Sequence, residues 1–463
     1  MKNESLFRDK PVWSAIFSMA IPSVFTILVM IVYNMADMFF IGRLGDTAQV
    51  GAISIVGPVF SLLSAVSTMI GVGGCTTIAK ALGGGNTEDA RTHASLCGWT
   101  FLIFGGVFSA VVLAFTNPLL RALGAPADMV HYAGIYMRVL ALGAPVMLFS
   151  QGMAMLIRSE GAIKEGLIGN LSGTIVNLIL DPVFILGLNW GVAGAAVATV
   201  LGNLVGSAYF VSYILRKSSI LNLKPQFALR SPAALFPIMA LGLPNALSSI
   251  LSGLASTFSN RLLSAYGTNA IAAMGAAGKI TMLIGLVQMG ICMGVQPMMA
   301  YNYGARNLAR LKEILLKTAL LAATVGIVTT VGCSLARHSL IGLFLRQREA
   351  AAMGEEIVVF LLLAGPVLGL YYLSANFLQA AGNAPLATVT SVLRQGAVLI
   401  PLLYLMAYLF GFAGIAIAHT ASDVISALIG LFACLWQYRK LKIQLLTING
   451  NLKGPQISRT EQR

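Results

Sequence analysis

Asp37 and Asp181 each stand inside a long apolar stretch, and each has an amide side chain one helical turn before it. Asn34 precedes Asp37 by three residues and Asn177 precedes Asp181 by four. Both spacings place the pair on one helical face. Thr199 and Asn203, also four apart, add a third polar face. Carboxylate, amide and hydroxyl oxygens suit a hard cation such as sodium. A carboxyl taken out of water also binds a proton more readily, and a second carboxylate nearby adds to the effect. The residue types therefore serve either H+ or Na+ and leave the choice open. An acid at the centre of a bilayer costs about 2.5–3.5 kcal/mol on insertion scales, so it needs a partner or a task. A purely structural reading competes: Asp37 leaving the bilayer near a helix end, Asp181 closing a helix before Pro182, Thr199 packing like any other threonine.

The elements that carry these groups are apolar helices. Of 463 residues, 57% are hydrophobic and only 10% charged, with a mean hydropathy of +0.83. A soluble chain carries roughly 25% charge, so lipid must be the main solvent here. Only helices and closed barrels satisfy their backbone in lipid. Long continuous apolar blocks, rather than alternating stretches of about ten residues, exclude the barrel. The expected class is an all-α integral membrane protein with twelve transmembrane helices. The spans lie near 14–40, 50–80, 94–116, 132–157, 164–187, 191–215, 234–263, 270–300, 314–336, 356–380, 386–410 and 412–437. Lys2, Arg8, Lys10, Lys80, Arg91, Arg158, Lys164, Arg216 and Lys217 fall on one side of this alternation, while Arg43, Arg121 and Arg337 fall on the other. That asymmetry predicts a multi-pass membrane protein with both termini cytoplasmic.

The net charge of +14 does not form one stripe with interleaved aromatics, so nucleic acid is not an expected partner. The five cysteines are odd in number and contain no CxxC, which predicts free thiols. A monomer in the lipid bilayer is expected.

The chain repeats itself at a shift of 220–222 residues. Pro22 falls on Pro244, Gly73 on Gly294, Gly83 on Gly304, Asn86 on Asn307 and Pro145 on Pro366. Gly191-Val-Ala-Gly194 is echoed by Gly411-Phe-Ala-Gly414. A near-constant offset over several helices implies duplication of a six-helix unit, and an even count gives parallel repeats about an axis along the membrane normal. The expected domains are an N-terminal lobe at 1–215, a basic linker at 216–232, a C-terminal lobe at 233–442 and a polar tail at 443–463. Pro22 lies inside the first helix, where a missing N–H favours a kink. It is the expected hinge, bending in response to the charge on Asp37 and Asp181.

Several motifs resemble the MATE (multidrug and toxic compound extrusion) family. They are Asn34-Met-Ala-Asp37-Met-Phe-Phe-Ile-Gly-Arg-Leu-Gly45 in the first helix, Gly83-Gly-Gly-Asn86 and Tyr303-Gly-Ala-Arg-Asn307 after the second and eighth, Arg158-Ser-Glu-Gly161 and Gln379-Ala-Ala-Gly382 at the ends of the fourth and tenth, and Asn177-Leu-Ile-Leu-Asp181-Pro182 in the fifth. The resemblance spans almost the whole chain and lies nearest the MepA-like bacterial branch. It implies two pseudo-symmetric six-helix bundles around a central cavity. It further implies efflux of small lipophilic or cationic molecules in exchange for protons or sodium, with no cofactor. It assigns the cation site to Asp37, Asn177, Asp181 and Thr199, which would be the metal ligands if sodium is the ion. Asn34 and Asn203 are expected to line the cavity beside them.

The second half departs from the first. Ser256, Ser259 and Asn260 stand where the first helix has Asn34, Asp37 and Met38, and 397–403 offers no acid to match Asp181. Coupling is therefore expected through the first lobe. Asn260 and Asn376, with Met282 and Met289 as flexible thioethers, are the expected cavity-lining groups of the second. Arg394 or Lys279 is expected to pair with Asp423. A flippase for a lipid-linked saccharide is the alternative function, disfavoured because the spans offer few cations to hold a pyrophosphate. The scattered His93, His131, His338 and His419, with no HExxH, GxSxG or Walker A pattern, argue against an enzyme or an ATP-driven pump.

Overall fold

A computed structural model of the protein describes residues 4–43, 46–345 and 347–451, without the side chains at 4, 30–38, 42, 47 and 448–451. Among the described residues ten helices are long and apolar enough to cross a membrane, or eleven if one bent pair counts as a span. In order these are α1 (Val12–Gly42), α2 (Thr47–Gly83), α3 (Thr87–Ala114), α4 (Val130–Leu156), α5 (Ile163–Asp181), α6 (Gly191–Arg216), α7 (Leu235–Leu263), α8 (Thr268–Gly304), α9 (Leu308–Leu335), the bent α10 (Arg348–Leu362 and Gly365–Ala380) and a continuous apolar stretch, Ala384–Thr447, of 64 residues. At about 1.5 Å per residue that stretch is some three times the hydrocarbon thickness. Gly411, at φ 59 and ψ −134, breaks its helical path. The two parts, α11 (384–410) and α12 (412–451), correspond to the last two expected spans. Helix α12 runs on to Asn451, into the segment expected as a polar tail from 443.

The tenth span also differs from expectation: it starts at Arg348 and bends by 47° at Leu363–Ala364. Pro366 removes a donor there, and the freed backbone needs other partners in lipid. Thr330 Oγ1 donates to Leu362 O at 3.0 Å, and Gln288 Nε2 donates to Gly365 O at 2.7 Å. The bend is thus satisfied by α9 and α8.

Packing follows the repeat. In the first half α4 packs on α2, α3 and α6, and α5 packs on α1 and α6; in the second, α10 packs on α8, α9 and the α11–α12 stretch, and α11 packs on α7. Between halves, α1 packs on α8 and α7 packs on α2, a reciprocal pair of contacts, and α2 also meets α8.

The α2–α8 crossing depends on glycine. A Cβ on Gly83 would stand 1.9 Å from Tyr301 O, and one on Gly304 would stand 2.1 Å from Lys80 O. Lys80 and Tyr301 are themselves repeat equivalents at 221. This crossing is on the side of the membrane that carries the 216–232 linker, and side chains seal it. Lys80 Nζ donates to Ala381 O at 3.1 Å, and Gln296 Nε2 donates to Thr76 Oγ1 at 3.2 Å and to Gln379 Oε1 at 2.9 Å. The linker is tied to the first half by Glu160. Its carboxylate accepts from Ser218 Oγ, from the amides of Ile220 and Leu221, and from Tyr213 Oη.

Candidate functional site

Helices α5 and α6 meet through glycine. A Cβ on Gly173 would lie 2.7 Å from Gly202 O, and one on Gly202 would lie 2.6 Å from Gly173 O and 3.0 Å from the Asn177 Cβ. This close approach lets polar side chains of α5 reach the backbone of α6. Asn177, Asp181 and Thr199 are all buried, Asp181 completely. The Asn177 amide lies 3.4 Å from Asp181 Oδ1. Turned so that both ends are satisfied, it donates to Asp181 Oδ2 at 3.3 Å and accepts from the Thr199 amide at 3.2 Å. Asn203, half-buried one turn along α6, donates its Nδ2 to Thr199 O at 2.9 Å. The next turn after Asp181 is a π-turn, Pro182–Gly187. Such widened turns recur at functional sites.

The structure therefore brings Asn177, Asp181, Thr199 and Asn203 together. Asn34 and Asp37 belong to α1, whose backbone is helical there and which packs on α5 and the π-turn; their side chains lie outside the described residues. Pro22 is buried within α1. Among the described residues no three His, Cys, Asp or Glu side chains converge in a metal-binding cluster. A cation at this site would take its oxygens from one carboxylate, the amide and the hydroxyl, a donor set that fits sodium or a proton but not a soft metal.

The second half holds a different polar site. Arg394 Nε lies 2.7 Å from Asp423 Oδ1, and both side chains are largely buried, at 12% and 19% exposure. Of the two cations expected as partners for Asp423, Arg394 is the one that pairs. Lys279 Nζ sits 5.6 Å from the Phe344 ring centre instead. The Arg394 guanidinium also rests against the rings of Tyr371 and Tyr372, at 4.7 and 5.3 Å. It stands in a second π-turn, Leu393–Ala397. Arg394, Asp423, His419, Tyr372, Thr281 and Met282 line a cavity of about 290 Å³. Met282 thus faces a cavity, while Met289 is half-buried and does not line it. Asn376 is half-buried and donates to Tyr372 O on its own helix, and Asn260 is exposed; neither joins this cluster. His419 and the two tyrosines were not expected here. The repeat offset contained the signal: at 220, His419 falls on Thr199 and Asp423 on Asn203.

The family model described as MatE matches this chain twice, over residues 22–183 and 244–405. The two matches stand 222 residues apart, the offset of the internal repeat. The multidrug export protein MepA of Staphylococcus saprophyticus is 31% identical, covering 92% of this chain and 95% of that protein, and MepA of Staphylococcus aureus is 29% identical with the same coverage. A crystal structure of MATE in complex with MaD3S superposes with a TM-score of 0.89 at 25% identity, covering 96% of this chain and 99% of the other. An outward-facing multidrug resistance MATE family transporter of the MOP superfamily gives 0.88 at 24% identity with the same coverage.

Proposed function

As this chain belongs to the MATE family, we propose that it exports small lipophilic, cationic compounds across a bacterial inner membrane, driven by the entry of a coupling ion at Asp181. The observation that carries the coupling is a fully buried carboxylate, one turn from an amide, on a helix that family membership places in the membrane. A buried charge in lipid is costly. A single proton removes that cost without any further ligand, which favours H+ over Na+ as the ion. Asn177, Thr199 and, from α1, Asp37 complete the site. Sodium would need all four as oxygen donors. The scarcity of cations within the spans favours positively charged cargo over a pyrophosphate-linked saccharide.

The test is transport of a fluorescent cation in proteoliposomes under an imposed pH or sodium gradient. Efflux is expected to follow the proton gradient, and to lose that dependence in Asp181→Asn and Asp37→Asn. Efflux indifferent to both gradients would overturn the exchange mechanism. Unchanged coupling in both variants would move the ion site elsewhere.

A further inference from the structure

The second lobe lacks an acid to match Asp37 or Asp181, which favours coupling through the first. The polar groups of the second lobe are nevertheless assembled at the equivalent positions. Ser259 is the repeat equivalent of Asp37, His419 of Thr199 and Asp423 of Asn203. Ser259 Oγ and His419 Nε2 lie 3.2 Å apart, joining α7 to α12. His419 and Asp423 are four residues apart on α12 and so share one face. Asp423 is held by Arg394 of α11, and Ser422 Oγ donates to Arg394 O at 2.7 Å, fastening the π-turn to α12. From these contacts we propose that His419 is a second proton-binding site, in the C-terminal lobe, whose charge decides whether Asp423 stays with Arg394.

The electrostatics follow from the groups that surround the imidazole. The titratable and charged groups facing it are Asp423 on its own helix, Arg394 on α11, and the Tyr371 and Tyr372 phenols on α10, which stack on Arg394. Helix α7 contributes Ser259, and α8 contributes Thr281 and Met282 to the cavity wall. Other charged groups on the surrounding helices are engaged elsewhere or exposed: Lys279 lies over Phe344, Glu355 pairs with His338, and Glu356 and Arg261 are exposed.

With a neutral imidazole the cluster sums to zero charge. An imidazolium adds one positive charge beside Arg394 and within one helical turn of the carboxylate. It repels the guanidinium and competes for Asp423. Because Arg394 stands in a π-turn and not in a regular helix, α11 has a ready place to move. Histidine is the side chain whose ordinary charge change lies nearest neutral pH, which makes it the residue type suited to such a response. The site acts whichever ion drives export at the first lobe, and adds a pH response of its own.

The experiment uses the full chain in lipid nanodiscs with ring-labelled histidine. The protein has four histidines, so His93→Gln/His131→Gln/His338→Gln leaves His419 as the sole imidazole. Its ring carbon resonance is expected to titrate in one step as the pH falls from about 8 to about 4. Asp423→Asn is expected to move the midpoint by about one pH unit or more, the scale of one neighbouring charge. A distance between labels on α7 and α11 is expected to change with the same midpoint, and to lose that step in His419→Gln while keeping it in Asp181→Asn. A resonance that does not move over this range, or a distance step that survives in His419→Gln, would overturn the assignment and leave His419 as a packing residue. If His419→Gln does not fold, the resonance of the sole imidazole decides alone. Because the readout needs neither cargo nor a gradient, its failure is separate from failure of the export reading.

Discussion

Alanine at Gly83 or Gly304 should drive the two halves apart on the linker side. The reason is geometric. A Cβ at Gly83 would lie 1.9 Å from Tyr301 O, and real Cβ atoms essentially never come within 3.0 Å of such a neighbour. Relief needs a shift of more than an ångström, and the obstacle is backbone, which cannot rotate away. Overpacking of this kind costs about 1–3 kcal/mol. If separation at the α2–α8 crossing relieves it, the ratio of seam-open to seam-closed molecules rises by about 5- to 150-fold. The Gly304 contact, on Lys80 O, is relieved by the same movement. The double variant should therefore add little to either single one, a departure from additivity expected for sites that share one strain. Labels at the exposed Arg216 and Lys312 positions, in a background without native cysteines, report the separation as a distance distribution. Gly106→Ala is the control, because nothing lies within 4 Å of its Cβ position. Distance distributions for Gly83→Ala and Gly304→Ala that match the control would refute the tight seam, as would a doubled effect in the pair.

Three further outcomes follow from particular contacts. Glu160→Ala removes the acceptor that holds residues 218–221, and hydrogen bonds to a charged group contribute about 1.5–3 kcal/mol each; trypsin should then cut after Lys217 at least about tenfold faster, read by gel over time. Asp423→Ala leaves the Arg394 guanidinium without its carboxylate and should cost up to about 3 kcal/mol, whereas Arg394→Met/Asp423→Leu should recover most of the loss, as measured by thermal unfolding in detergent. Pro22→Ala restores a backbone donor to α1 and should flatten the pH dependence of cation efflux; a profile identical to wild type across pH 5.5–8.5 would remove the hinge role.

Much of this architecture was legible because membrane insertion imposes few solutions. Apolar runs bounded by basic loops gave the helices, and the constant offset from Pro22–Pro244 to Gly191–Gly411 gave the duplication, which the twofold family match reproduces at the same spacing. Asn177 and Asp181 could be paired from their spacing alone, since four residues along a helix fixes a shared face. What stayed hidden depended on contacts between helices. Nothing local shows that Gly173 and Gly202 let α5 and α6 touch, or that the bend at Leu363–Ala364 is satisfied by Thr330 and Gln288. Choosing Arg394 over Lys279 for Asp423 likewise needed the rotation of α11, which its π-turn changes. His419 is not legible locally, because a single histidine has no pattern of its own; only its repeat partner Thr199 points to it.

The two halves kept some features of the duplication and changed others, and the difference has a physical meaning. One pair of positions that sets how the halves meet kept its residue type: Gly83 and Gly304 form a reciprocal contact that any side chain would break. Positions that hold charge diverged: Asp181 has no acidic counterpart, while Thr199 and Asn203 became His419 and Asp423. A shared seam means that the halves move together, because neither can leave it alone. If Asp181 and His419 titrate as proposed, the common seam combines the two titrations into one movement.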